Sequence, residues 1–438
     1  MEAGRTVRTL LFGILVAVAA VGPVGPAAAQ AGDERYAPLD QPGPPLQDPP
    51  EVLDRALRCP ADLGPGDHGV LLVHGTALDA AVNFSWGYEP ALTAAGYAVC
   101  LVDLVDNGMG DNQRSAERVV HAVRTMHAAT GRPIGIVGYS QGGQVARWAL
   151  RFWPDLRPMV DDLVTLSAPN NGALFADVLC AAPCAAAAWQ QRMLGSAYIA
   201  ALNSRATTFP GVDITSVYTR VDEIATPNVA AQSSYLPGAV NVATQDVCPL
   251  NVSEHLLLGT VDAVGYALVV DALVHDGPAD PSRLSPTVCT QLFLPGVDPL
   301  EVPGRLVDLA GVIAQSLLAA PLLPAEPPLA CYVTTSCETA EPPDRDAAAI
   351  DAADGPAPSP PAPGGGSASA APPPTTTGPT GVEPEAEAEP TVAAAGGGRS
   401  RQGGATLPAT GAEVPAVAAA LVAGVALGLR ALAGRAAR

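Results

Sequence analysis

Lysine is absent from all 438 residues, so the 23 basic side chains are arginines and stand against 43 acidic ones. The formal charge of −20 lacks the basic footprint that binding to nucleic acid requires. No Gly-X-Y period runs through the chain, which excludes collagen, and 44 Gly with 45 Pro exclude a coiled coil or a helical membrane protein. Long apolar runs are scarce near the start: Leu10 to Val21 falls short of the roughly 20 residues of a spanning helix. None of the eight cysteines has a histidine or a second cysteine pair at ligand spacing, so neither a metal nor another cofactor is expected. Length alone permits one large domain or two to three ordinary ones.

Both ends read as addresses. Arg5 and Arg8, the short apolar run, a Gly/Pro break and Ala27-Ala28-Ala29 follow the order of a secretory signal peptide, residues 1–31, with cleavage after Ala29 or Ala31. At the other end, residues 407–438 contain LPATG (Leu407 to Gly411), a weakly apolar stretch from Val414 to Leu429, and Arg430, Arg435 and Arg438. This arrangement resembles the sorting signal of Gram-positive surface proteins. The resemblance implies cleavage by a sortase between Thr410 and Gly411, covalent attachment to peptidoglycan, and a secreted, wall-anchored extracellular protein. The apolar stretch and cationic tail would hold the exported chain at the membrane until then.

Residues 338–406 are Pro, Ala, Gly, Ser, Thr and acidic residues, with ten acidic and three basic side chains. So few large apolar groups cannot offset the entropy of ordering the backbone, and a disordered stalk is expected. Fully extended it would reach roughly 200 Å at about 3.1 Å per residue.

The folded part is therefore 33–337. Eight cysteines in an exported chain suggest disulfides, with 105 connectivities open on paper. Spacing favours neighbours: Cys59 with Cys100, Cys180 with Cys184, Cys248 with Cys289, and Cys331 with Cys337. Short apolar runs at Gly69–Val73, Ala98–Val102, Ile134–Val137, Leu163–Leu166, Ile214–Tyr218 and Val240–Val242 read as strands. Helical periodicity appears over Ser115–Thr130 and Gln144–Phe152. Strands alternating with helices predict an α/β fold with a mainly parallel central sheet flanked by helices.

Gly138-Tyr139-Ser140-Gln141-Gly142 is a G-x-S-x-G motif between a strand and a helix. Such a turn exposes the serine hydroxyl at the helix N-terminus, and the glycines leave room for the crossing backbone. A weak alcohol needs a general base, and only His255 and His275 follow Ser140. His255, expected just ahead of an apolar helix, is preferred to His275, expected at that helix's end, because such bases sit on loops beyond strand ends. The acid should lie between Ser140 and His255. Asp222, just past a strand, fits; Asp246 is the runner-up, Glu223 its neighbour, and Asp213 sits at the wrong strand end. The oxyanion donors follow as Gln141, after the nucleophile, and Thr76, after His74-Gly75, whose hydroxyl can add a third bond.

Leu72-Val73-His74-Gly75-Thr76, Ser140-Gln141-Gly142-Gly143, the run Tyr218 to Pro227, Ser234-Tyr235-Leu236 and Val247-Cys248 resemble the family of Candida antarctica lipase B and its bacterial relatives, over about Asp48 to Cys337. The resemblance implies an α/β-hydrolase fold, triacylglycerol lipase or carboxylesterase activity, the triad Ser140, Asp222 and His255, and oxyanion donors Thr76 and Gln141. It also supports pairing Cys59–Cys100, Cys248–Cys289 and Cys331–Cys337. Tyr139 and Asn170 replace a Trp and an Asp of the family, so both are expected to reshape the acyl and alcohol pockets. The Cys180–Cys184 insert falls where the family has a small lid and would stiffen residues 173–188. Ile224 and Leu306–Leu323 are expected to line the entrance or to be plain core.

The expectation is thus a secreted serine ester hydrolase acting on ester or lipid substrates, with a monomeric catalytic domain. Its rivals are polyester depolymerisation or acyl transfer onto wall lipids by the same triad, and a non-enzymatic adhesin with a relict hydrolase domain.

Overall fold

The computed structural model describes residues 34–228 and 232–336. The expected signal segment, stalk and sorting signal, with Thr410, Gly411 and Cys337, lie outside the described residues.

Seven strands form one sheet: β1 (Leu57–Arg58), β2 (Gly69–Val73), β3 (Ala98–Val102), β4 (Ile134–Tyr139), β5 (Val160–Leu166), β6 (Asp213–Tyr218) and β7 (Val240–Ala243). Their order is β1-β3-β2-β4-β5-β6-β7, all parallel except β1, which pairs antiparallel with β3. The sheet is sealed on both faces, which is why β2 reads as a continuous apolar run rather than an alternating one. Leu71 and Val73 pack on one side with Val119, Val123 and Trp148. Val70 and Leu72 pack on the other with Phe84, Tyr88, Val264 and Leu268.

The helices that matter for the site are α1 (Asn112–Thr130), α2 (Gln141–Phe152), α3 (Leu174–Leu179), α4 (Ala186–Gln190), α5 (His255–Leu258), α6 (Ala263–Val274) and α7 (Val302–Ala319). α1 begins three residues before its apolar periodicity, because the Asp111 carboxylate caps it by accepting the Gln113 N–H. α2 begins at Gln141 rather than Gln144: Gly142 and Gly143 are poor helix formers but are fully buried where a side chain would not fit. The apolar helix expected from His255 to His275 is two helices. Gly259 closes α5, and Asp262 starts α6 by accepting the Gly265 N–H.

Disulfides join Cys59 to Cys100, Cys180 to Cys184 and Cys248 to Cys289. Cys331 is also disulfide-bonded. The Cys180–Cys184 loop links α3 to α4 and is stitched to the chain after α7: Cys184 N–H donates to Leu323 O at 3.1 Å and Leu323 N–H returns to Cys184 O at 2.8 Å. Among the described residues α7 alone is long and apolar enough to cross a membrane. Here it packs through Ile313 and Leu317, with Ala320 just past its end, against Ala77, Met109 and Ala185. This places the Leu306–Leu323 stretch beside the loop that follows β2.

Candidate active site

Parallel sheets collect functional groups where the strand order reverses, outside the carboxyl ends of the strands. Here the chain leaves β2 for β3 on one side and returns to β4 on the other, so the reversal lies between β2 and β4. Thr76 follows β2 and Ser140 follows β4 directly. Asp222 and His255 follow β6 and β7 on the same rim.

Ser140 has φ 52° and ψ −120°, a conformation that L side chains rarely adopt. Its main chain is held there: Ser140 N–H donates to Leu166 O at 2.8 Å and Gly143 N–H to Ser140 O at 3.1 Å. The neighbouring glycines are required by contact. A Cβ on Gly138 would lie 2.6 Å from the Gly143 backbone, and one on Gly142 would lie 2.1 Å from Val73 O.

His255 Nε2 is 3.0 Å from Ser140 Oγ, and His255 Nδ1 is 3.0 Å from each Asp222 carboxylate oxygen. All three side chains are buried. Asp222 Oδ1 also accepts the N–H groups of Ile224 at 3.0 Å and Ala225 at 2.7 Å, which fixes the carboxylate plane. Burial disfavours the imidazolium, yet Asp222, Glu223 and Glu254 around it outweigh that and hold the His255 pKa above the ordinary histidine value. Burial likewise opposes ionisation of Asp222, and the His255 charge and hydrogen bond overcome it, so its pKa is lowered. A hydroxyl so placed can pass its proton to the imidazole as it attacks, with the carboxylate stabilising the resulting cation.

Among the described residues, the main-chain N–H groups of Thr76 and Gln141 have no hydrogen-bond partner. Both residues flank Gly108, where a Cβ would lie 3.3 Å from Thr76 Cα and 2.6 Å from Gln141 Oε1. Two free donors at the head of α2 and in the loop after β2 suit a developing oxyanion. His74 holds that loop. Its Nδ1–H donates to Gly75 O at 2.8 Å and its Nε2 accepts the Leu104 N–H at 2.9 Å, so the ring is neutral, and burial lowers its pKa.

The palmitoyl protein thioesterase family model matches residues 69–246. Lipase B of Pseudozyma antarctica is 33% identical over 218 residues, covering 48% of this chain and 64% of its own. A triacylglycerol lipase of Pseudarthrobacter phenanthrenivorans is 27% identical over 114 residues, covering 25% of this chain and 35% of its own. The crystal structure of Aspergillus fumigatus lipase B matches with a TM-score of 0.61 at 28% identity, over 68% of this chain and 75% of that one. The chain has an α/β-hydrolase fold and is similar to lipase B.

The match of this chain to these curated relatives spans less than two thirds of their length. Two residues expected to shape the pockets are buried. Tyr139 is 1% exposed; its ring lies 5.2 Å from the His255 imidazole and abuts Gly259, so it supports the base from beneath. Asn170 is wholly buried: its Nδ2 donates to Ser234 O at 2.9 Å and its Oδ1 accepts from Arg147 Nη1 at 3.1 Å. That amide serves Arg147, whose guanidinium is itself buried and pushed down to about 9 by desolvation. Ile224 is half-buried beside Asp222. Of the alternatives, Asp246 pairs with Arg220 at 2.6 Å, and His275 pairs with Asp271 at 3.3 Å; neither joins the site.

Sequence reasoning missed Gln191. Its Nε2 donates to Thr76 Oγ1 at 3.0 Å from the end of the cap helix α4. It also missed Glu254, whose carboxylate caps α5 by accepting the Leu256 and Leu257 N–H groups at 2.6 and 3.2 Å. Glutamate is not among the preferred N-cap residues, so no local signal marks this role.

Proposed function

We propose that this chain is a secreted serine hydrolase of carboxylic esters, of the lipase or carboxylesterase type, that works while attached to a Gram-positive cell wall through its LPATG signal. The observation that carries the chemistry is the linear run from Ser140 Oγ through His255 to Asp222, with 3.0 Å at each step.

In this reading Ser140 Oγ attacks the ester carbonyl carbon as its proton moves to His255 Nε2. The carbonyl oxygen takes up negative charge and is met by the N–H groups of Thr76 and Gln141 and by the Thr76 hydroxyl. The tetrahedral species collapses when His255 returns the proton to the leaving alkoxide, which departs as the alcohol. Water then repeats the sequence on the acyl-Ser140 ester: His255 takes its proton, the hydroxide oxygen bonds to the acyl carbon, and the carboxylic acid leaves as Ser140 is reprotonated. Asp222 remains ionised throughout. No cofactor enters these steps.

The similarity to lipase B and to triacylglycerol lipases supports a lipid ester as substrate. The thioesterase family match supports a second acyl donor, a long-chain thioester, cleaved by the same groups. Export and wall attachment are supported by the order of sequence features at the two ends. Labelling by a fluorophosphonate probe tests the chemistry: adduct formation on Ser140 is expected, and an unlabelled Ser140 refutes it, leaving the adhesin reading. Comparing nitrophenyl palmitate with a palmitoyl thioester separates the two acyl donors. Release of the protein from walls by muramidase, carrying a peptidoglycan fragment on Thr410, tests the anchoring.

A further inference from the structure

Two adjacent glutamines end the cap segment, and neither belongs to the triad nor supplies an oxyanion N–H. Gln191 Nε2 donates to Thr76 Oγ1 at 3.0 Å, whereas the reverse pairing, from the Thr76 hydroxyl to Gln191 Oε1, is long at 3.4 Å. Gln190 Oε1 accepts the Asn112 N–H at 2.8 Å, and its Nε2 donates to Asp111 Oδ1 at 2.6 Å. Asn112 Oδ1 in turn accepts from Gln141 Nε2 at 2.5 Å. One end of one short helix therefore reaches both residues of the oxyanion hole. It does so directly at Thr76, and through Asn112 at Gln141. Gln190 is wholly buried and Gln191 is 8% exposed, so neither amide is free to swing into solvent.

The direction of the Gln191 bond decides its consequence. A threonine hydroxyl has one proton and two lone pairs. Were that proton spent on Gln191 Oε1, Thr76 would have only its main-chain N–H to offer the substrate. With the amide N–H donating at the shorter distance, the oxygen is held as an acceptor and its proton stays available. Accepting a hydrogen bond also polarises the O–H group and strengthens what it donates.

We propose that Gln191 is a positioning residue for acyl transfer: it orients the Thr76 hydroxyl so that its proton points at the oxyanion, while Gln190 steadies the Gln141 side through Asn112. The inference rests on the reading of Ser140 as nucleophile. It makes the cap part of the catalytic apparatus rather than a cover, since the oxyanion hole is complete only when α4 is docked.

The test is steady-state hydrolysis of a soluble nitrophenyl ester by the full chain and by Gln191→Leu, Gln191→Met, Thr76→Val and the Gln191→Leu/Thr76→Val pair. Loss of a whole oxyanion donor costs about 100- to 1,000-fold in kcat, and misorienting one hydroxyl should cost about tenfold, with KM within about twofold. The paired variant should be no slower than Thr76→Val alone, because Gln191 then has no hydroxyl left to orient. A merely structural role would instead multiply the two losses, and that result overturns the proposal. So does unchanged kcat in Gln191→Leu. Gln191→Met keeps the side-chain length without the amide and should match Gln191→Leu; a wild-type kcat in a folded Gln191→Met also overturns the proposal. A wild-type chain that neither turns over ester nor takes up fluorophosphonate overturns the reading of Ser140, and this inference with it.

Discussion

Glu223 accepts the main-chain N–H of His255 at 3.3 Å while its neighbour Asp222 holds the imidazole Nδ1 at 3.0 Å. Two consecutive carboxylates thus grip the two ends of one residue. A third, Glu254, precedes it and is pushed up to about 7 by burial and by Glu223. The base sits among acidic groups that hold its pKa up.

Those groups set the pH dependence. His255 accepts a proton only when neutral, and its pKa lies above the ordinary value of about 6.5. kcat/KM should therefore rise with pH through a midpoint above that value. Glu254→Gln keeps an acceptor for the α5 cap but removes negative charge, so the midpoint should fall. A pH–rate profile between about pH 5 and pH 9 measures both; an upward shift in the variant contradicts this account.

Truncations of the triad should separate its members. Ser140→Ala and His255→Ala are expected to lower kcat by about a millionfold, and Asp222→Asn by about ten-thousandfold through loss of ring orientation. Nitrophenyl-ester hydrolysis gives the rates, and circular dichroism shows whether the fold is kept. Persistent turnover in Ser140→Ala would remove it from the chemistry.

Two glycines should respond in opposite directions to one methyl group. Gly142→Ala drives a Cβ to 2.1 Å from Val73 O and should cost about 3 kcal/mol or more. Gly304→Ala in α7 meets nothing within 4 Å and should stabilise by about 0.5–1 kcal/mol. Urea unfolding of both variants makes the comparison; equal effects would refute the packing account of the elbow.

Far from the site, Asp162 on β5 is pushed up to about 8 by burial and then by Asp213 and Asp161. Its folded pKa exceeds its unfolded one, so its stabilising contribution is full below about pH 4 and is lost as pH rises through about 8. Asp162→Asn should leave acid stability little changed and raise stability at pH 9 by on the order of 2 kcal/mol. Denaturant midpoints at the two pH values check the sign.

The strands and the triad were legible because each is announced locally. β2, β3 and β4 are apolar runs cut off by Gly, Asp or Ser, and Ser140 carries its glycines with it. What was not legible depends on distant partners. Gly142 and Gly143 read as loop because their reason for being helical is the Val73 carbonyl and Thr165 across the sheet. Gly259 splits the helix after His255 because Tyr139, 120 positions earlier, occupies the space of its Cβ. The partners of Asn170, Arg147 and Ser234, lie on other elements, and no local pattern links them. Gln191 is 115 positions from Thr76, and no periodicity links them.

The rim on which the site stands has a consequence for how the site is assembled. Thr76, Ser140, Asp222 and His255 hang from four strands, and β7 and the loop after it come last. A chain synthesised N-terminus first presents Ser140 long before His255. Until the sheet has closed to its final strand, the nucleophile is an ordinary alcohol. On the proposed reading, ester cleavage reports that the whole sheet has formed, and a folding intermediate or clipped fragment would be silent in the same assay.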